Sequence, residues 1–271
     1  MTSNIEYKTP LGTLYNSNCL EIMSKLSSDS IDMVFADPPY NVGKDYGETY
    51  DDSLPESEYF NWVENWIKEG FRLLKDTGSF YFLINSKTAF KVAPILDKYG
   101  RQINAIIWIK KAAPIQGERN LAKNYRILLF YVKTSNYKFY PDIIRVPHRF
   151  EPYRKYTPEI RNPEGRRLDD TWEDITELVS GYLIQPEVVR HSGSKQPVLP
   201  QQCPEEIVRR AISLSTDKSD IVLDPFMGMG TTAVVAEKNN RKWIGMEINP
   251  KFCKLIEKRL ELVWRQQKLF V

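Results

Sequence analysis

The segment that most constrains the fold is a strand, a turn, a helix and a second strand that follow one another near the C-terminus. An apolar run over residues 220–223 predicts a strand, and it leads into the turn Asp224-Pro-Phe-Met-Gly-Met-Gly-Thr-Thr232. A helix starting near Thr231 and a strand over 242–246 come next. Because two strands joined by a helix run parallel in one sheet, the segment predicts an α/β fold.

The rest of the chain repeats this alternation. Ser53-Leu-Pro-Glu56 has the form of a capping box, and apolar residues at helical spacing from Phe60 to Leu74 predict a helix that stops at 76–78. Further strands are predicted over 31–36, 79–84, 103–109 and 126–132, and further helices over 88–97, 205–214 and 250–266. We therefore expect a doubly wound, largely parallel sheet in a chain whose 271 residues allow one core with an inserted region.

The glycine-containing turn has the layout of a nucleotide site. Gly228 and Gly230 would let the backbone approach a ligand closely, and Glu247 ends the next strand nineteen positions after Gly228. An acidic residue at that distance can accept hydrogen bonds from both hydroxyls of a ribose. The turn lacks the full GxGxxG pattern of dinucleotide enzymes, and taken alone it is equally compatible with a structural turn.

A second group of candidate functional residues follows the predicted strand over 31–36. Asp37-Pro-Pro-Tyr40 lies at the carboxyl end of that strand because two prolines prevent its continuation. An aromatic amino group is a poor nucleophile, and a carboxylate together with a fixed carbonyl, here those of Asp37 and Pro38, can accept its two hydrogens. Tyr40 offers a face for stacking, and the polar segment 41–52 predicts a loop that closes over a substrate. The alternative is a Pro-Pro strand terminator with an incidental aspartate.

Together the two segments resemble the amino-methyltransferase family of DNA-modifying enzymes, which act on adenine N6 or cytosine N4. The matching motifs are Asp37-Pro-Pro-Tyr40 preceded by Asp29-Ser-Ile-Asp32, the turn Asp224 to Thr231, Trp243-Ile-Gly-Met-Glu-Ile-Asn-Pro250, and Leu14-Tyr-Asn-Ser-Asn-Cys-Leu-Glu21. With the catalytic motif first and the cofactor motif last, the chain resembles the permuted beta class. The resemblance implies a Rossmann-like methyltransferase sheet and S-adenosylmethionine as cofactor.

The resemblance also implies a role for individual residues. Asp37, Pro38, Pro39 and Tyr40 would be catalytic and would grip the target base, without a metal. For the cofactor, the resemblance implies Asn18 and Cys19 near the adenine, Glu247 on the ribose, and Asp224 orienting the turn. Around the methionine part it implies Phe226, Gly228, Gly230 and Thr231. Asp37 and Asn249 are further implied cofactor-binding residues. Two positions depart from the family: Cys203 replaces a lysine, so no contact of that lysine carries over, and Met229 replaces a common serine.

The segment 137–168 breaks the strand and helix pattern with five prolines. It holds eight basic residues against four acidic ones, with six aromatic residues between them: Lys138, Arg145, Arg149, Arg154, Lys155, Arg161, Arg166 and Arg167 against Asp142, Glu151, Glu159 and Glu164. We predict a catalytic core over 1–136 and 191–271 and an inserted target-recognition region over 137–190 that binds duplex DNA with a flipped-out base. The alternative is a solvated basic surface.

Composition limits the remaining classes. A net charge of +3 is compatible with a polyanionic partner, and the sequence shows neither a signal-peptide core nor an apolar run that spans a bilayer. The three cysteines and two histidines lack the spacing of a disulfide framework or a metal site. The sequence predicts a cytoplasmic, nucleoid-associated protein, and the resemblance allows a homodimer and a separate cognate restriction endonuclease.

Four other functions compete with adenine-N6 methylation. A cytosine-C5 enzyme needs a nucleophilic cysteine after a proline, whereas Cys203 precedes Pro204. Cytosine-N4 methylation uses the same chemistry, but Asp at position 37 resembles the adenine-modifying members. A nicotinamide oxidoreductase leaves the Asp-Pro-Pro-Tyr segment unexplained, and the intact Asp37, Tyr40 and Glu247 argue against a catalytically silent DNA-binding module.

Overall fold

The protein folds around one large mixed sheet, here seen in a computed structural model. The structure describes residues 5–44, 50–110, 119, 121–148, 162–178, 187–190, 193, 197–199 and 202–268. The strands are β1 Ile5–Lys8, β2 Gly12–Asn16, β3 Ile31–Ala36, β4 Leu74–Asn85, β5 Arg101–Ile109, β6 Tyr125–Val132, β7 Arg145–Val146, β8 Arg166–Arg167, β9 Thr171–Trp172, β10 Ile221–Asp224 and β11 Lys242–Glu247. The helices are α1 Cys19–Met23, α2 Glu56–Leu73, α3 Ser86–Leu96, α4 Glu205–Ser215, α5 Thr231–Lys238 and α6 Pro250–Lys268.

The strand order of the nine-stranded sheet is β1-β2-β11-β10-β3-β4-β6-β5-β9. The central pairs β2–β11, β11–β10, β10–β3 and β3–β4 are parallel. β6 runs antiparallel to both β4 and β5, and β1 runs antiparallel to β2. The sheet is therefore mostly parallel, with its antiparallel pairs towards the two sides.

Helices cover both faces of this sheet, and each face has its own core. Successive side chains of a strand point to opposite faces, so Met33 and Phe35 pack on one side and Val34 and Ala36 on the other. The first side is covered by α4, α5 and α6, and the second by α1, α2 and α3. All six residues of β3 are buried, as expected of a strand covered twice. The predicted doubly wound α/β class is confirmed.

Several predicted boundaries were wrong. The helix predicted to stop at 76–78 ends at Leu73, because β4 already begins at Leu74. Ser53 does not cap α2: the residue before the helix is Pro55, and the Ser53 hydroxyl donates to Asp51 at 2.5 Å. The elements β1, β2 and α1 were not predicted at all.

Several described residues of the predicted recognition region contact the core, whereas β7 and β8 pair with each other in a separate two-stranded sheet. β9 pairs parallel to β5 at the sheet edge, and Trp172 is buried there with its indole N–H donating to the Asp169 carbonyl at 3.0 Å. Lys138 Nζ lies 2.6 Å from an Asp220 carboxylate oxygen. Residues 149–161 and 179–186 of this region lie outside the described residues. Within the described part of the chain, none of the helices is both long and apolar enough to traverse a lipid bilayer.

Candidate active site

The carboxyl ends of β3, β10 and β11 open into one cavity of about 430 Å³. β10 pairs with β3 through Leu223 and Val34, so Asp224 and Asp37 leave the same edge of the sheet. Glu247 ends the adjacent strand β11. Open parallel sheets bind ligands at this edge, because the loops after neighbouring strands diverge there.

The cavity brings together almost all of the residues singled out from the sequence. Asp37, Pro38, Pro39 and Tyr40 line it together with Asn18, Cys19, Asp224, Phe226, Gly228, Thr231, Glu247 and Asn249. Gly230 is the exception, since it is not part of the wall. It has φ of +75° and forms the N-terminal boundary of α5.

The Asp37-Pro-Pro-Tyr40 segment is held by three side-chain contacts. The Tyr40 hydroxyl donates a short hydrogen bond to Asp37 Oδ1. Arg126 Nη1 donates to the Tyr40 hydroxyl oxygen at 3.0 Å, and the guanidinium lies 5.2 Å from the Tyr40 ring centroid. The Tyr59 hydroxyl donates to the Pro39 carbonyl at 2.9 Å. The segment is thus fixed at the hydroxyl, at the ring and at the backbone.

Three charged groups lie at this segment: the Asp37 carboxylate, the Arg126 guanidinium and the Lys44 ammonium group. Burial raises the pKa of Asp37, and the Arg126 cation, the Tyr40 hydrogen bond and Lys44 all oppose that rise. The pKa of Lys44 is lowered to about 8, chiefly by burial and then by the neighbouring positive charge of Arg126. Arg126 therefore favours the ionised carboxylate, the form with the strongest acceptor oxygens.

Arg126 was missed by sequence reasoning. It is only 6% exposed in β6, where every following residue is buried and apolar or aromatic. A charge at such a position needs a partner, since a buried unpaired ion is very costly. The sequence signal was a lone arginine inside the run Arg126 to Val132, but the run did not indicate which group it would meet.

The opposite half of the cavity holds two carboxylates that accept backbone hydrogen bonds. Glu247 accepts one from the Gly228 N–H and one from the Asn249 N–H, both at 2.8 Å. Asp224 accepts one from the Phe226 N–H at 2.8 Å. Burial raises the pKa of Glu247 and that of Asp224 to about 7, although these hydrogen bonds oppose the rise. Each carboxylate keeps acceptor capacity for a ligand.

Aromatic packing supports the turn between these carboxylates. The Phe226 ring lies 5.4 Å from the Trp62 ring and 5.1 Å from the Trp66 ring, both in edge-on contacts. Trp62 lines the cavity, whereas Trp66 is fully buried in α2. Asn18 and Cys19 complete this side, where the Asn18 side chain accepts the Leu20 N–H and begins α1.

Cys203 and Met229 both line the same cavity. The Cys203 carbonyl accepts a hydrogen bond from the Thr231 hydroxyl at 3.2 Å, which ties the segment before α4 to the glycine turn. Where the family resemblance leads us to expect a lysine, this chain therefore places a small neutral thiol. The wall is less basic at that point as a result.

Comparisons with known proteins agree on one family. A family model described as DNA methylase matches residues 31–258. The chain is 35% identical to the type II methyltransferase M.BamHI of Bacillus amyloliquefaciens over 97% of its own length, but it spans only 60% of that protein. It is 30% identical to the DNA adenine methyltransferase YhdJ of Escherichia coli (strain K12), over 92% of this chain and 83% of that protein.

Solved structures show the same fold at low sequence identity. The PvuII DNA methyltransferase, which is cytosine-N4-specific, matches with a TM-score of 0.72 at 20% identity over 95% of this chain and 89% of that one. The complex of M1.HpyAVI with SAM matches with a TM-score of 0.61 at 20% identity, over 92% and 99% of the two chains. These matches support the fold, since identity is too low for them to carry more.

Proposed function

The chain belongs to the DNA methylase family that acts on adenine N6 or cytosine N4, and from this we propose that it transfers a methyl group from S-adenosylmethionine to N6 of adenine in duplex DNA. The observation that carries the proposal is the single cavity in which Asp37 and Tyr40 face Asp224 and Glu247. One half of that cavity suits an aromatic amine, and the other half suits a nucleoside with a ribose. Neither half alone would indicate group transfer between the two.

The cofactor half fits S-adenosylmethionine through its acceptors. Glu247 has two oxygens, each already aligned by one backbone N–H, and each can accept a ribose hydroxyl. Phe226, Gly228 and Thr231 lie next to it and would hold the methionine part, with Asp224 fixing the turn. When bound, the cofactor supplies an electrophilic methyl group on a positively charged sulfur.

The acceptor half prepares the amine. The Asp37 carboxylate accepts one hydrogen of the exocyclic amino group and the Pro38 carbonyl accepts the other, which returns the nitrogen lone pair from the ring to the nitrogen. In the free site the Tyr40 hydroxyl occupies Asp37 Oδ1, so an incoming base displaces that hydrogen bond or shares the oxygen. Arg126 opposes the rise in the pKa of Asp37 that burial causes, and so favours the ionised carboxylate. The nitrogen would then take the methyl group directly as the bond between the methyl carbon and the cofactor sulfur breaks, and the surplus proton on the nitrogen would pass to the Asp37 carboxylate or to water. This transfer needs no covalent enzyme intermediate and no metal.

Adenine is preferred over cytosine for two reasons. The aspartate at position 37 resembles the adenine-modifying members of the family, whereas serine at this position is commoner in the cytosine-modifying members. The relative YhdJ is named as an adenine methyltransferase and matches over most of both chains. Because the target nitrogen lies inside the duplex, the base must leave the stack to reach Asp37.

The region 137–190 remains our proposal for target recognition. In its described part three arginines form ion pairs: Arg145 and Arg167 with Asp142, and Arg166 with Asp169. Arg149, Arg154, Lys155 and Arg161 lie outside the described residues. Phosphate contacts by the described arginines would therefore be made in exchange for existing surface ion pairs, which individually stabilise little.

The test is incubation of the purified protein with labelled S-adenosylmethionine and mixed-sequence duplex DNA, followed by nucleoside analysis. N6-methyladenine is the expected product, and N4-methylcytosine would keep the mechanism but change the base. The variant Asp37→Ala, purified in parallel, controls for host methyltransferases. Absence of any methylated nucleoside despite measured cofactor binding would overturn the proposal.

A further inference from the structure

A second cavity, of about 390 Å³, adjoins the first and shares Tyr40 with it. Four residues, Tyr40, Lys44, Leu54 and Arg126, line both cavities. The second cavity also reaches Asn85, Ser86, Lys87, Thr88, Lys91, Lys110, Lys123 and Tyr125. The two cavities therefore meet at Tyr40 and its neighbours, and the second is distinct in the residues of its outer wall.

The charge of the second cavity is strongly one-sided. Among the described residues, its wall carries six basic side chains, Lys44, Lys87, Lys91, Lys110, Lys123 and Arg126, and one acidic side chain, Glu56. Glu56 pairs with Lys91, and Lys110 pairs with Glu177 at 2.6 Å. After these pairings the wall still holds an excess of positive charge.

Lys44 responds to that excess. Its pKa is lowered to about 8 by burial, by the nearby charge of Arg126 and, to a smaller extent, by Lys110, against the opposing effects of Asp37 and Asp52. Its ammonium group lies 5.8 Å from the Tyr40 ring centroid. Positive groups that repel one another at close range create a favourable position for an anion.

The N-terminus of α3 adds to the same field. Asn85, whose side chain accepts the Thr88 N–H at 3.0 Å, begins the helix, and residues 85–88 all line the cavity. The positive end of the α3 dipole therefore lies at the cavity wall and adds to the positive potential of the basic side chains. Exposed Lys87 and Lys123 lie on the wall, and Lys44 and Arg126 lie deeper, against Tyr40.

We propose that this second cavity binds the sugar-phosphate backbone of the flipped-out nucleotide and its neighbour, a role that rests on the proposed function. A base stacked at Tyr40 with its amine at Asp37 remains attached to a sugar and two phosphates. These groups must leave the first cavity, and the compartment that shares Tyr40, Lys44 and Arg126 with it carries the complementary charge. The chemical class of the ligand is a phosphodiester of an extrahelical nucleotide.

The first test measures DNA binding as a function of salt for Lys87→Gln and Lys123→Gln. Each lost phosphate contact is expected to reduce the slope of log K against log salt by about 0.7 to 0.9. This corresponds to about five- to eightfold weaker binding at 0.1 M salt, if the electrostatic contribution vanishes near 1 M. Lys98→Gln is the matched control, because Lys98 follows the same helix and pairs with Glu64 outside the cavity.

The second test locates the phosphate. Neutral methylphosphonates replace single phosphates on either side of the mapped target base, in turn, and each DNA is bound to wild type and to Lys87→Gln. At the phosphate that Lys87 contacts, the two changes together are expected to weaken binding no more than either alone. Additive losses at every flanking phosphate, or a salt slope unchanged in both lysine variants, would overturn the inference.

Failure of the proposed function gives a different pattern. Wild type would then form no methylated nucleoside, while the lysine variants would still lower the salt slope. If wild type methylates DNA and the lysine variants bind it with an unchanged slope, the function stands and the assignment of this cavity falls.

Discussion

The raised pKa of Glu247 makes cofactor affinity depend on pH in a predictable direction. The proposed ribose contacts need the ionised carboxylate, and burial raises the pKa of this group to about 7 in the free protein. Below that pH the proton must leave before the ligand binds. The dissociation constant is then multiplied by about 1 + 10^(7−pH), which predicts about tenfold weaker binding at pH 6 than at pH 8.

The same reasoning fixes the number of protons released. At pH 6 about nine-tenths of free Glu247 is protonated, so calorimetry in buffers of different ionisation enthalpy should report nearly one proton released per bound cofactor. At pH 8 the release should be about a tenth of a proton. S-adenosylhomocysteine, which lacks the sulfonium charge, should show the same dependence, because the titrating group belongs to the protein.

Glu247→Gln isolates the effect. The amide removes both the charge and one acceptor, so binding at pH 8 should weaken by about 10- to 100-fold, the size of one charge-assisted hydrogen bond. Its affinity should no longer change between pH 6 and pH 8. Asp224→Asn is the control, because Asp224 also has its pKa raised to about 7 but is not assigned to the ribose. A full pH dependence in Glu247→Gln, or a flat one in wild type, would refute the reasoning.

The pKa of Glu247 also has a consequence for stability. Because the folded-state pKa lies above the usual 4.5, the folded protein binds this proton more tightly than the unfolded chain does. The free energy of unfolding of the cofactor-free protein should therefore fall as pH rises from about 4.5 to about 7, by about 3 kcal/mol from this group. Saturating cofactor should reduce that loss, and urea unfolding at several pH values measures it.

Three further outcomes concern catalysis and folding. Asp37→Ala should lower the methylation rate by at least about a hundredfold and leave the cofactor Kd within about twofold of wild type; methylation at the normal rate would remove Asp37 from its role. Arg126→Gln should move the acidic limb of the pH–rate profile to higher pH, because the Arg126 cation lowers the pKa of Asp37. Arg126→Lys should restore the wild-type profile. Superimposable profiles for wild type and Arg126→Gln would show that Arg126 has a structural role only. Gly230→Ala should lower the free energy of unfolding in urea by about 1–3 kcal/mol, because φ is +75° and a Cβ would lie 2.8 Å from Ile256 Cγ2. Gly43→Ala is the control, since Gly43 has φ of +74° but open space around it, and it should lower the free energy of unfolding by less. Equal losses in the two variants would show that the contact with Ile256 is irrelevant.

The parts of the fold that the sequence predicted are those with strong local signals. β3 is apolar except for Asp32 and is stopped by Pro38 and Pro39, and β10 and α5 flank a turn with two glycines. Such signals determine where an element lies and at which end it stops. They place Asp37, Asp224 and Glu247 at strand ends, and the parallel sheet then gathers these ends at one edge.

The missed elements depend on contacts that are distant in sequence. β2 has only one fully buried position, Leu14, and pairs with β11 near the other end of the chain. A Cβ on Gly12 would lie 2.1 Å from the Trp243 ring, so glycine is needed here because Trp243, which is distant in sequence, packs against the backbone. The sequence also did not predict that β6 runs antiparallel to β4, because an apolar run does not indicate the direction of its strand in the sheet. Arg126 reaches Tyr40 only because that strand runs antiparallel to β4.

The two cavities also explain why a net charge of +3 predicted so little. Among the described residues, the first cavity carries four carboxylates, Asp37, Asp51, Asp224 and Glu247, and the second carries six basic groups and one acidic group; Lys44 and Arg126 line both. Acidic groups predominate in the first cavity, which suits a cofactor with a positively charged sulfur, and basic groups predominate in the second, which suits phosphates. The two cavities meet at Tyr40, whose hydroxyl donates to Asp37 and accepts from Arg126. The net charge of the whole chain does not show this separation. Function therefore depends on how charge is separated within the fold, and this separation is produced by the pairing of strands that are far apart in the chain.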